Sequence, residues 1–323
     1  MAAWLNIDSA ERLASRRSTG GTRPALDYPA LLSIPIVYDE RLPELIGNAV
    51  VKYQARLEKA LSLLSAIDDV LLGELCVMRK FDTPNTIENR IFRTAFHKLT
   101  GQRFDPLYHQ GDIFHFIREA KCDLVRLGDL VSYFLTGFAA GRGDQSDEGG
   151  AVIQIRPTNI SNDRELVFNR NVTIAAAELK TRKLDVLKRG EVLFNNTNSQ
   201  EQVGKTVYFD LHENYFCSNH ITRIASKGDQ LNAQYLGYVL NLYQRKKVFF
   251  RLCTNWNNQS GVGVDMLEKI PIPIPNPKHQ ALIVAKLENI RDKASKFRFQ
   301  AIEELQQAKS EIEAIILGKE VNR

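Results

Sequence analysis

The stretch IPIPIPNPKHQ, residues 270–280, decides how this chain is read. Proline locks its own φ, pushes the residue before it into extended geometry and donates no backbone N–H. Pro273, Pro275 and Pro277 therefore make the segment a sheet edge or a connector, never a central strand. Pro277 stands where a helix can begin. From Ile283 onward, apolar residues recur at steps of four and three: Ile283, Leu287, Ile290, Ala294 and Phe297. One four-residue step reaches Ala301, and the pattern resumes through Leu305, Ala308, Ile312 and Ile315. The positions between are mostly Lys, Glu, Gln and Arg, so this is a heptad seam with one irregularity.

A looser copy, IPIVYDERLPE at 34–44, precedes a second seam of strict four-three spacing: Ile46, Val50, Tyr53, Leu57, Ala60, Leu64, Ile67 and Leu71. The runs DDVLLG (68–73) and EAIILG (313–318) close the two helices, each with glycine placed as a C-cap. At a rise of 1.5 Å per residue the helices are about 45 and 60 Å long. Two matching heptad helices flanking a long stretch of different character are expected to pair with each other.

The repeat extends upstream. STGGTRPALDYPALLSIPI (18–36) and NNQSGVGVDMLEKIPI (257–272) both run from a polar, glycine-bearing loop through a short leucine-bearing segment into Ile-Pro-Ile. The first copy reads as the tail of a domain whose body is missing; the second has its body, from about residue 102 to 276. That body reads as mixed α and β. A helix is expected over 83–99, with Thr83 as N-cap and Pro84 at its first position, and another over 233–250. Strands are expected in DLVSYFL (129–135), AVIQIR (151–156), EVLFN (191–195) and KTVYFD (205–210), and a loop in GRGDQSDEGG (141–150).

Composition bounds the function. With 323 residues, 44% apolar and 25% charged, the chain can bury a sizeable core, and its net charge of +5 is compatible with nucleic acid. Cys76, Cys122, Cys217 and Cys253 are far apart, which argues for reduced thiols rather than a zinc cluster or a disulfide framework. The opening MAAWLNIDSAERLASRR has no apolar signal core and no run reaches membrane-spanning length, so a cytoplasmic protein without membrane contact is expected.

Catalytic patterns fare poorly. DPLY (105–108) is similar to the motif with which amino-methyltransferases grip adenine, but FAAGRG (138–143) misses the glycine spacing of their cofactor loop by one residue. ELK (178–180) lacks the upstream Pro-Asp of a nuclease site, and the six histidines form no metal-ligand spacing. No cofactor is implied. The chain does offer amide-rich runs, NNTNSQ (195–200) and NWNNQS (255–260), and basic clusters, KTRKLDVLKR (180–189) and QRKKVFFR (244–251). Asn and Gln pair two-pronged with adenine edges and Arg with guanine, while cations on phosphates position a protein without specifying sequence. The candidate DNA contacts are Arg142, Arg156, Asn159, Asn196, Thr197, Asn198, Arg245, Lys247, Asn257 and Gln259.

In order along the chain, these features resemble the specificity (S) subunit of type I restriction–modification systems. RFDPLY (103–108) matches the Arg-x-Asp-Pro-x-Tyr that opens a target recognition domain, and VRLGDLV (125–131) its Leu-Gly-Asp strand. LKRGEVLF (187–194) matches the next segment, with Glu191 in place of the usual Asp, and IPIPIPNPKHQALIVAKL (270–287) the closing signature, with His279 where Glu is usual. The resemblance implies an α+β fold: a mixed α/β target recognition domain flanked by two long helices that pair as an antiparallel coiled coil. It divides the chain into a C-terminal remnant of a first recognition domain (1–42), a first spacer helix (43–76), the recognition domain with its leading helix (77–276) and a second spacer helix (277–323). Val50, Leu57, Leu64, Leu287, Ile290 and Leu305 are the spacer and partner positions.

The function implied is non-catalytic, sequence-specific recognition of double-stranded DNA. Its partners are a methyltransferase (M) subunit, a restriction (R) subunit as a further candidate, and a second copy of the chain. A full S subunit carries two recognition domains; this half-length or truncated form carries one, and two copies about a two-fold axis rebuild the pair. The rival readings are an adenine-specific DNA methyltransferase and a coiled-coil adaptor that binds only protein.

Overall fold

The computed structural model describes residues 8–18, 27–36, 39–77, 86–99, 103–146 and 151–318. Its main helices are α1 (Asp8–Arg17), α2 (Tyr28–Leu32), α3 (Leu42–Ser65), α4 (Ile67–Glu74), α5 (Ala233–Arg245), α6 (Val248–Leu252) and α7 (Pro277–Ile316). The strands are β1 (Asp123–Arg126), β2 (Val131–Thr136), β3 (Val152–Ile155), β4 (Val172–Ile174), β5 (Val192–Asn195) and β6 (Thr197–Asn198). They continue with β7 (Thr206–Tyr208), β8 (Phe216–Cys217), β9 (Ile221–Ser226), β10 (Thr254–Trp256), β11 (Gln259–Gly261) and β12 (Pro271–Ile274). The chain forms two compact units, residues 1–66 with 288–323 and residues 67–287. Among the described residues no helix is long and apolar enough to cross a membrane.

In the helical unit the two seams meet. Arg56 donates to Glu304 Oε2 at 2.7 Å and to Gln300 Oε1 at 2.8 Å, and the Lys59 ammonium lies 5.9 Å from the Phe297 ring. Further along, Leu42 shares a buried cluster with Ala10, Ile34 and Ile312. Residue numbers rise along α3 as they fall along α7, so the helices run antiparallel. Ala60, Ala294, Ala301, Ala308 and Ile312 are buried, and Leu57, Leu64, Ile290 and Leu305 are half-buried. Val50 is 41% exposed, at the margin of the seam.

In the larger unit, a four-stranded antiparallel sheet of order β2-β9-β5-β7 carries α5 against it. A second sheet, β4-β3-β8, contains the parallel pair β3/β8. Ile155, Leu193, Phe209, Cys217 and Ile221 fill the core between these elements. The proline segment forms β12, among the described residues an edge strand paired with β1 alone, in register Val125↔Ile272. The carbonyls it leaves over are taken by α5: the buried Tyr235 hydroxyl donates to Pro273 O at 2.8 Å and Tyr243 to Pro271 O at 2.5 Å. Burial lifts both phenols far above their ordinary pKa. Gln280, 0% exposed, receives the Asn232 N–H at the start of α5 and donates to Pro275 O and Gln230 O. Strand, helix start and α5 are thereby locked together.

Four local expectations give way to structure. The first spacer helix is interrupted at Ala66, where the Ser65 hydroxyl back-bonds to the Ser62 carbonyl at 2.8 Å and the Ala66 N–H is shared between Ser62 O and Leu63 O. Gly73 is not its cap: the helix runs on to Glu74, and Cys76 (φ 56°) takes the left-handed position, its N–H on Gly73 O and the Val77 N–H on Leu72 O. Gly318 (φ 64°) does cap the second helix. The helix expected over 83–99 reduces to single turns at Ile87–Arg90, capped by Thr86, and Phe96–Leu99; Thr83 and Pro84 lie outside the described residues. The helix expected over 233–250 breaks at Lys247 (φ 58°) into α5 and α6.

Candidate nucleic-acid interface

The two amide-rich runs lie sixty residues apart in sequence and in one sheet in space. β10 and β11 form a hairpin whose two turn residues, Asn257 and Asn258, have φ of 39° and 66°, the conformation that two-residue hairpin turns require and Asn tolerates. β11 then pairs with β6 in register Ser260↔Asn198 and Gly261↔Thr197. Asn255, Trp256, Asn257, Asn258 and Gln259 are exposed on this sheet, and Thr197 and Asn198 are half-buried beside them.

The remaining amides build the platform. Asn196 is 8% exposed; its Nδ2 donates to Thr222 Oγ1 (2.9 Å) and Asn219 O (3.2 Å), its Oδ1 accepts from Thr197 and its carbonyl accepts from Val262 N. Asn255 Oδ1 accepts from Ser260 Oγ at 2.6 Å across the hairpin. Asn159, 1% exposed, has its Oδ1 on Arg156 N and its Nδ2 on Val167 O and Asn171 Oδ1. Asn196 and Asn159 thus have interior partners for their polar atoms, and they hold loops rather than face solvent.

The cations divide in the same way. Lys247 is exposed, 6.0 Å from the Phe250 ring, on the short connection between α5 and α6, which leads directly into β10. Gln200 Nε2 donates to Phe250 O at 2.9 Å and Gln244 Nε2 to Glu201 O at 2.6 Å, so the loop after β6 lies against the same connection. Arg142 is exposed on the turn Arg142–Asp144. Arg245 is held by Asp68 through two bonds, Nε to Oδ2 being 2.5 Å, and Arg156 is half-buried with its guanidinium on Gln154 Oε1. Arg251 donates to the Leu107 and Gln110 carbonyls, and burial pulls its pKa down. In the cluster at 180–189, Arg182 lies over Phe138 at 4.2 Å with Glu178 and Asp185 beside it, Lys188 lies near the Tyr133 ring, and Arg189 pairs with Asp210.

DPLY has a structural role. Asp105 accepts the Tyr108 N–H at the start of its helical turn and pairs with Arg103 at 2.7 Å, while Arg103 donates to Leu252 O and to Cys253 O (2.7 Å) at the end of α6. The motif therefore clamps the base of the hairpin. Glu178 of ELK bonds Thr181 and Arg182 of its own turn.

Between β5 and β9 lies a buried ion pair that sequence reading missed. Arg223 (1% exposed) donates to both oxygens of Glu191 (2%), and to the Leu184 and Val186 carbonyls at 2.8 and 2.9 Å. Glu191 also accepts from the Tyr133 hydroxyl (2.7 Å) and from Lys188 N (2.9 Å). Burial, then the carboxylate, pushes Tyr133 up to about 12, and the guanidinium rises against its own desolvation because Glu191 binds it. Trp256 was also missed; an aromatic followed by Asn-Asn and a polar strand was its available signal.

The family model for the type I restriction modification DNA specificity domain matches residues 120–307. A putative type I restriction enzyme MjaX specificity subunit of Methanocaldococcus jannaschii is 25% identical over 105 residues, which is 31% of this chain and 25% of that protein. The alignment thus spans a quarter of the curated relative. The HsdS subunit from Thermoanaerobacter tengcongensis has a TM-score of 0.44 at 14% identity, covering 96% of this chain and 67% of its own. The S subunit of a type I restriction–modification system from M. genitalium gives 0.44 at 14% identity, with coverages of 93% and 69%.

Proposed function

We propose a function from one premise: this chain belongs to the family of type I restriction–modification DNA specificity domains. It recognises a specific sequence in double-stranded DNA without catalysing a reaction, and it directs a methyltransferase subunit, and through it a restriction subunit, to that site. The observation that carries the reading is the three-stranded sheet β10-β11-β6, which joins two distant amide-rich runs in one sheet whose hairpin tip, Trp256 to Gln259, is exposed. Asn257 and Gln259 contact base edges there, with Asn198 and Thr197 at their side, while Lys247 and Arg142 neutralise phosphates. Arg156 and Arg245 reach phosphate only by exchanging Gln154 and Asp68 for it, and Asn159 and Asn196 act by holding the loops.

The paired helices, with Val50, Leu57, Leu64, Leu287, Ile290 and Leu305 along their seams, form the spacer on which the methyltransferase subunit docks. Two copies of the chain join about a two-fold axis to read a split, symmetric site. Selection of bound duplexes from a randomised library, at about physiological salt, tests the reading. A split motif with a fixed spacer is expected. A lack of enrichment both alone and with the methyltransferase subunit would overturn DNA recognition, and a monomer in light scattering would overturn the dimer.

A further inference from the structure

Trp256 occupies the last strand position before the hairpin turn, opposite Gln259 and diagonal to Gly261. Its ring lies along the Gly261 backbone: a Cβ built on Gly261 would stand 2.4 Å from Cη2 and 3.0 Å from Cζ3. A cross-strand aromatic covering a glycine is a familiar stabilising device, and it accounts for the inner part of the ring. It leaves the outer part unexplained, because Trp256 remains 45% exposed. The exposed residues next to it along the hairpin are Asn255, Asn257, Asn258 and Gln259, whose amides match base edges rather than an apolar partner. The hairpin is anchored by Val262 N on Asn196 O and by Ser260 Oγ on Asn255 Oδ1, so the ring is presented on a braced support.

We propose that Trp256 is a stacking platform for a nucleobase displaced from the duplex stack, so that the hairpin recognises locally opened DNA as well as groove edges. In an intact duplex each base face is covered by its neighbours and the grooves show only edges. A flat indole surface therefore finds a matching partner where a base has left the stack, as in enzymes and binding proteins that hold extruded or single-stranded bases on aromatic rings. The inference rests on the DNA-recognition reading above and goes beyond it by naming the state of the DNA that is bound.

The test uses the full chain carrying Trp4→Phe, which leaves Trp256 as the sole tryptophan of the two in the sequence. The probes are a short labelled duplex and the same duplex with one central unpaired adenine. DNA anisotropy reports binding, and tryptophan emission reports stacking. The bulged duplex is expected to bind about ten-fold more tightly than the paired one and to quench Trp256. Trp256→Leu, which still covers Gly261 but has no π face, should lose that preference and bind the two duplexes with about equal affinity. Gly261→Ala, which pushes the ring off its seat, should do the same, and Trp256→Phe should restore part of it. A complex that forms with unchanged emission and no preference for the bulge overturns the platform and leaves DNA recognition standing. If neither duplex, built on a sequence taken from the selection, binds either alone or with the methyltransferase subunit, both readings fall together. The emission measurement needs no change at Trp256, so a variant that fails to fold does not decide the matter.

Discussion

Glu191→Ala should destabilise the larger unit severely, because of what it leaves behind. In the native chain the Arg223 guanidinium, 1% exposed, has three contacts to the carboxylate and two to carbonyls. Without Glu191 it keeps only the Leu184 and Val186 carbonyls, and the Tyr133 hydroxyl and Lys188 N–H lose their acceptor. Breaking a buried pair from one side costs about 3–5 kcal/mol, dominated by the uncompensated charge. Set against a total stability of about 5–15 kcal/mol, that is a large fraction. Replacing both partners by apolar residues of similar volume, Glu191→Leu with Arg223→Met, removes the charge together with its counter-charge and should cost clearly less than the single change, the remainder being the partners lost by Tyr133, Lys188 N and the two carbonyls. Urea denaturation followed by circular dichroism measures the cost, with exchange of the β5 and β9 amides reporting this unit alone. A loss below about 1 kcal/mol for the single change, or a double change as costly as the single, would refute the reasoning.

Other consequences are equally direct. Cys76→Gly should stabilise the chain by about 1 kcal/mol, since glycine adopts the left-handed C′ position without the Cβ clash; an unchanged or lower denaturation midpoint would show that the thiol side chain offsets that gain. Tyr133 is raised to about 12 in the folded chain from about 10 unfolded, so its contribution is complete below pH 10 and is lost as pH climbs towards 12. Tyr133→Phe should flatten that part of the alkaline stability profile, and a profile unaltered by the change would count against the assignment. Lys247→Ala should weaken binding to all DNA sequences alike and reduce the salt slope by about one, whereas Arg245→Ala, its charge already met by Asp68, should change the slope less. Equal slopes for both variants would contradict this division of the cations.

What could be read from sequence alone followed periodicity and backbone restriction. The Ile/Pro alternation dictated an extended edge ahead of Pro277, and among the described residues it is β12, Pro271–Ile274, with a single strand neighbour. The four-three seams dictated two amphipathic helices, and every residue of the second seam is at least half-buried. These are local properties: proline's missing N–H and the helical period act on each residue whatever the rest of the chain does. Composition likewise placed the amide-rich runs and the basic clusters as candidates for DNA contact.

Tertiary structure decided which of those candidates face outward. Asn196 and Asn257 sit in runs of identical chemistry, yet one is buried on Thr222 and Asn219 while the other crowns a turn. Arg245 and Lys247 are two residues apart, yet only Arg245 meets Asp68, a residue far away in sequence. The left-handed positions at Cys76 and Lys247 were equally hidden, because each ends a helix at a residue whose own preference argues against it. The larger arrangement, β6 joined to β11 and Glu191 buried under Arg223, depends on pairings between segments tens of residues apart. A sequence states which groups a segment can offer; which of them are used up internally is settled by burial, since a polar group removed from water must find a partner wherever the fold supplies one.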